Sequence, residues 1–292
     1  MLLVALRRHP IAIASALVLL ALAGLALAAP LIEAGLGIDT GSLNLLERFA
    51  GPSAAHPLGT DELGRDMLAR LLEGGRVSLF VGVTAALTAA LLGTAVGLPA
   101  GYFGGRLDEV LMRLTDGVIA LPLLPLLIVL AAVSPEKLGL GGADPQRLGL
   151  MRIVVLVALV GWTTAARLVR GTTLATRRLD HIRSAEALGA GAVRIMLVHI
   201  LPNIAAPLVV ATTLSVGNVI LLESVLSFLG LGIQPPLPSW GNMLTNAQEM
   251  ITTAPMLAVW PGLLIFVTVL ACNLLGDGLQ DALDPRGDRR RR

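Results

Sequence analysis

The chain has 292 residues, of which 55% are apolar and only 14% charged, with a mean hydropathy of +0.79 and a formal net charge of +2. That balance excludes a soluble domain with a large core and describes a membrane protein of several spans. The one cysteine, Cys272, excludes an internal disulfide or a cysteine-rich metal site, and with Lys137 the only lysine, basic work falls to arginine.

Arg7 and Arg8 precede an apolar run over residues 11–29. The run is longer than the 7–15 residues of a signal-peptide core, so residues 1–32 are expected to stay as a first span, with its basic flank in the cytoplasm. Residues 33–76 are polar, mildly acidic and assigned to the outside. They contain His56-Pro57-Leu58-Gly59-Thr60-Asp61 and Gly64-Arg65-Asp66. Pro57 and Gly59 imply a turn, and Thr60 or Asp61 would cap the helix that follows. His56 reads as a solvated histidine at that turn, because no second His or Cys stands near it to complete a metal site.

Residues 77–286 are expected to form a core of five further spans, near 77–102, 107–133, 150–168, 195–229 and 253–275. Ala85, Ala89, Gly93, Gly97 and Gly101 recur every four residues and form a stripe on which another helix can pack closely. Gly104-Gly105-Arg106 turns the chain. Glu109, Arg113 and Asp116 are spaced for mutual pairing, and Pro122 and Pro125 should bend the third span. A polar loop over residues 134–147 follows it. Arg167, Arg170, Arg177, Arg178, Arg183 and Arg194 stand between the fourth and fifth spans against only Asp180 and Glu186. The loop over residues 230–254, rich in proline and glycine, has no Lys or Arg. The asymmetry predicts six spans with both termini cytoplasmic. The tail, residues 287–292, reads as a basic anchor to anionic lipid rather than a nucleic-acid site. Thr212, Ser215, Asn218 and Glu223, inside the fifth span, are candidates to line a pathway. Glu223 lies towards the outer end, within reach of water, and pathway lining and a structural hydrogen bond both stay open for it.

Residues 180–189 form the one short helical stretch between spans. Asp180 is placed as its N-cap, Ile182, Ala185 and Leu188 share one face, and Gly189 ends it in a left-handed conformation. Eight helical residues make a rod of about 12 Å, too short to cross a bilayer and long enough to fill a cleft on another protein. An ordinary cytoplasmic loop is the plainer alternative. No GxxxxGK[ST], GxSxG or HExxH occurs, so the residues offer no nucleotide site and no catalytic centre.

Several motifs, in order, resemble those of one family. Ala185, Ala187, Leu188 and Gly189, with Ile200-Leu201-Pro202-Asn203 ten residues on, resemble the EAA loop of binding-protein-dependent ABC importer permeases. The run from His56 to Asp66, the segments Ser227 to Gly232, Gln234-Pro235-Pro236 and Pro238-Ser239-Trp240-Gly241, and Gly276 to Arg286 resemble the dipeptide, oligopeptide and nickel branch. In the family Glu usually stands where this chain has Arg183, and Ala where it has Ser184. The resemblance implies an all-α polytopic protein of the type I importer fold, the second of two non-identical permease chains, in a bacterial cytoplasmic membrane. It implies a coupling helix through which Asp180, Ile182, Arg183, Ala185, Glu186, Leu188 and Gly189 engage an ATPase. The implied partners are a second permease chain, two ATPase subunits that bind ATP and Mg, and an external solute-binding protein. The resemblance implies import of dipeptides or oligopeptides; nickel, opine or another small solute is the alternative cargo, and a channel or scaffold without an ATPase is the rival from another class.

Overall fold

A computed structural model describes residues 9–131, 145–245 and 247–283. The basic tail, the match over residues 284–286, Arg7 and Arg8, and most of the loop over 134–147 lie outside the described residues. The described elements are α1 (Pro10–Leu27), α2 (Ala29–Leu36), α3 (Met67–Phe103), α4 (Gly105–Ala120), α5 (Leu123–Ala131), α6 (Pro145–Thr176), α7 (Asp180–Ala187), α8 (Ala192–Phe228), α9 (Ala247–Met250) and α10 (Met256–Leu283). Of these, α1, α3, α6, α8 and α10 are long and apolar enough to cross a membrane.

Helix α3 begins ten residues before the apolar run at Val77 and carries Arg70, Glu73 and Arg76 on its first turns. Its cap is Asp66, whose carboxylate accepts from Ala69 N at 2.9 Å. Thr60 and Asp61, the expected caps, do other work: Thr60 bridges to Asp66, and Asp61 binds Arg65 at 2.7 Å and Arg70 at 3.3 Å. The stripe of small residues on α3 meets α6. A Cβ on Gly93 would lie 2.5 Å from Ala165 Cβ, one on Gly97 would overlap the Ala166 carbonyl, and one on Gly101 would come within 2.7 Å of Thr173 Cβ. Near the start of both helices, Val77, Val81, Ala85 and Ala86 pack with Ile153 and Val157.

These contacts fix the topology. Residue numbers rise together along α3 and α6, so the two helices run parallel and the chain between them must cross back once. That crossing is the pair α4 and α5, which meet at an 84° bend at Leu121-Pro122. A span broken at proline, where the ring stops the helix, accounts for this better than a re-entrant loop. Helix α8 runs the other way: its start packs on Leu98 and Val169, and Val219 on Val77 and Val81. A wider, π-type turn over Ile195–Ile200 precedes Pro202, whose ring would clash with the Val198 carbonyl in a regular helix. Near the end of α10, a Cβ on Gly278 would fall on Ala12, so the start of α1 and the end of α10 share a side with α7. The bundle therefore makes six crossings.

Candidate functional site

Helix α7 is held by the ends of three spans. Ile182 is fully buried among Leu98 of α3, Val169 of α6 and Ile195, Met196, Ile200 and Ile204 of α8. Burying such a side chain stabilises the seat by about 2 kcal/mol. Gly104 (φ +67°) ends α3, and Arg177 donates from Nη1 to the carbonyls of Gly101 at 3.1 Å and Tyr102 at 2.7 Å. These carbonyls have no partner further along the helix, so the guanidinium completes its end. Tyr102 Oη donates to Glu186 Oε1 at 3.2 Å. Two further arginines of α6 hold α4: Arg170 makes a two-pronged pair with Asp108, and Arg167 binds Asp116. Asp116 is thus taken from the expected set, and Arg113 pairs with Glu109 alone at 3.0 Å.

The helix differs from the expected one in two places. Asp180 is its first residue, not its cap; the Leu179 carbonyl starts it by accepting from Ile182 N at 3.0 Å and Arg183 N at 3.2 Å. The Asp180 carboxylate instead lies in the first turn, where the helix dipole favours it. Leu188 does not share the buried face of Ile182. The helix ends at Ala187, Gly189 takes φ +82°, and Leu188 is left 88% exposed. Ala185 is half-buried, and Glu186, although exposed, is tied to Tyr102 rather than to Arg183. Leu179, Leu188 and Val193 are exposed along this segment, as are Arg178, His181, Arg183 and Arg194.

The four candidates on α8 do not converge. The Thr212 and Ser215 hydroxyls turn back to the carbonyls of Leu208 and Ala211 at 2.7 and 2.8 Å. Thr212 lines an apolar groove of about 650 Å³ shared with α1, α3 and α10. Asn218 is exposed, one turn beyond Ser215 on the same face. Glu223 is fully buried rather than within reach of water, and accepts from Ser227 at 2.7 Å and Ser78 at 3.3 Å. Tyr102 and Arg177 belong to the site and carry no signal in the sequence beyond their place at a helix end. Their partners lie 75 to 84 positions away.

Six crossings, with a short helix seated on the ends of three of them, describe a polytopic membrane subunit. The fold is similar to a chain of the MetNI methionine ABC transporter in an inward-facing conformation, with a TM-score of 0.55, 18% identity, and coverage of 75% of this chain and 98% of that one. Residues 93–289 match the family described as binding-protein-dependent transport system inner membrane component, and the chain belongs to that family. It is a multi-pass inner membrane permease of an ABC transporter, in which the ATPase is a separate subunit. It is 44% identical over 236 residues to the glutathione transport system permease protein GsiD of Pectobacterium atrosepticum, covering 81% of this chain and 74% of that protein. It is 38% identical over 281 residues to the dipeptide transport system permease protein DppC of Alkalihalophilus pseudofirmus, covering 96% and 88%. The oligopeptide transport system permease protein OppC of Bacillus subtilis is 38% identical over 248 residues, covering 85% and 77%.

Proposed function

We propose that this chain forms half of the path by which short peptides enter the cell, beside a second, non-identical permease chain. The names of its relatives, which carry glutathione, dipeptides and oligopeptides, support that class of cargo. The positive-inside rule supports a cytoplasmic place for the side bearing α7, since six arginines run from the end of α6 to the start of α8, and the start of α1 and the end of α10 share that side. There α7 docks on one of two ATPase subunits, which bind ATP and Mg. An external solute-binding protein delivers the peptide to the opposite side. Closure of the ATPases moves α7, and the ends of α3, α6 and α8 that hold Ile182 carry the motion into the bundle.

The observation that carries this reading is the division of α7 into a buried anchor and an exposed tip. Ile182 is wholly consumed by the chain itself, whereas Leu188 touches water over 88% of its surface. An exposed leucine at a helix end beside a glycine turn gains nothing within this chain and fits a partner's cleft. Leu188→Ser should therefore leave insertion and thermal stability of the permease pair unchanged. It should abolish co-purification of the ATPase and binding-protein-dependent dipeptide uptake in proteoliposomes. Wild-type coupling in Leu188→Ser would show that α7 docks by some other surface.

A further inference from the structure

Glu223 is a buried acid that the docking mechanism leaves unused. It lies on α8, five residues before the helix ends, and no arginine or lysine approaches it among the described residues. Its partners are serines, and they share one pattern. Ser227 Oγ accepts from Ile233 N at 3.0 Å and donates to Glu223 Oε1 at 2.7 Å. Ser78 Oγ, on α3, accepts from Trp240 N at 3.2 Å and donates to Glu223 Oε2 at 3.3 Å. Ser239, beside Trp240, accepts from Asn242 N at 3.1 Å and closes the loop's own turn. A serine hydroxyl has a single proton. Where its oxygen already receives a backbone N–H, that proton is free to point at the carboxyl group. Two backbone N–H groups of the loop between α8 and α9, those of Ile233 and Trp240, are thus relayed onto one acid.

The rest of the loop is fitted to the same seat. Gly232 and Gly241 lie where a Cβ would strike Ser227 and Ser224 of α8. Trp240 Nε1 donates to the Leu71 carbonyl of α3 at 3.0 Å, and Arg152 of α6 to the Leu231 carbonyl at 3.0 Å. Residues 229–242 are therefore bound to three spans at their outer ends.

We infer that Glu223 is the positioning residue of this outer loop: through Ser78 and Ser227 it fastens residues 233–240 to α3 and α8, so that loop and spans move as one body when the solute-binding protein engages. The inference rests on the importer reading for the identity of the external partner, but the fastening itself does not. A loop free to swing would absorb that engagement locally; a fastened one passes it to the bundle.

The test uses the assembled importer with Cys272→Ala and spin labels at Gln234→Cys and Ala55→Cys, both exposed positions. Glu223→Gln keeps size and polarity but offers one oxygen and a donor in place of two acceptors, so one serine relay loses its end. The expected result is a distance distribution about twice as wide and binding-protein-stimulated ATP hydrolysis lowered about ten-fold, with unstimulated hydrolysis retained. Glu223→Asp, which restores both oxygens, should recover part of each. An unaltered distribution and stimulation in Glu223→Gln would overturn the inference, since a merely space-filling residue tolerates that exchange. If Glu223→Gln does not assemble, Ser78→Ala, which removes one relay and leaves the acid, must widen the distribution, and its failure to do so overturns the inference equally. Absence of stimulation in the unsubstituted complex would count against the importer reading, while the label distances would still decide the fastening.

Discussion

His56 sits between two carboxylates, with Nδ1 2.9 Å from Asp66 Oδ2 and Nε2 3.2 Å from Glu47 Oε2. A neutral imidazole has one N–H and can donate to only one of them; the imidazolium serves both. The hydrogen bond to Asp66 holds the ring's pKa above the ordinary histidine value, burial opposes it, and the bond to Glu47 adds to the rise. A raised folded-state value means that the stabilisation is fully present below the ordinary histidine range and is lost as pH rises through the raised value. Since Asp66 also caps α3, the clasp ties the segment carrying Glu47 to the start of a span. His56→Gln should therefore lower the Tm of the permease pair at about pH 6, and the gap from the unsubstituted chain should close by about pH 9. A gap that stays constant across that range would show that the charge contributes nothing. The turn itself was legible, since Gly59 and Gly64 both take the left-handed φ that glycine allows. The clasp was not, because Glu47 lies in a stretch without periodicity and nothing nearby in sequence marks it as the partner of His56. Likewise the spacing of Glu109, Arg113 and Asp116 is a true helical pattern, but it cannot show that Arg167, 51 positions on, reaches Asp116 first.

At the scale of elements, the small-residue stripe of α3 was legible because a four-residue repeat of Ala and Gly serves close packing and little else. What it packs on was not legible, since α6 meets it with a mixed set, Gly161, Ala165, Ala166, Val169 and Thr173, and no repeat of small residues. The bend of the third span was likewise legible from Pro122, whereas its 84° size and the hold of α6 on α4 through Asp108 and Asp116 were not. The start of α7 moved by one residue because burial of Ile182, rather than a polar cap, sets where the helix begins. Along the seam Gly97 is the tightest point, since any side chain there meets backbone of α6 and not a flexible group. Gly97→Leu should destabilise the permease pair by about 1–3 kcal/mol, as overpacking of a close interface does. Gly117→Leu, where a Cβ meets nothing within 4 Å, should melt like the unsubstituted chain. Equal thermal unfolding of the two variants would show that α3 and α6 part without cost.

For the whole molecule, the arginine asymmetry assigns the sides and the packing assigns the crossings, and neither suffices alone. Of the six arginines from the end of α6 to the start of α8, Arg167, Arg170 and Arg177 are bound to Asp116, Asp108 and the end of α3, while Arg178, Arg183 and Arg194 stay exposed. One basic segment thus holds the end of α3 beside α7 with some of its arginines and leaves others exposed around that helix. The parallel run of α3 and α6 then requires α4 and α5 to carry the chain across the bilayer between Arg106 and Gln146, although neither helix alone is long enough to span about 30 Å of hydrocarbon. Single cysteines placed in a Cys272→Ala chain test both points together. A reagent confined to the outside should label Ala55→Cys, Gln146→Cys and Gln234→Cys in intact cells. It should reach Arg106→Cys and Ser184→Cys only after the membrane is opened. Labelling of Arg106→Cys and Gln146→Cys from the same side would make the bent pair a re-entrant loop. It would then place the starts of α3 and α6 on opposite sides, which the contacts of Gly93, Gly97 and Gly101 do not permit.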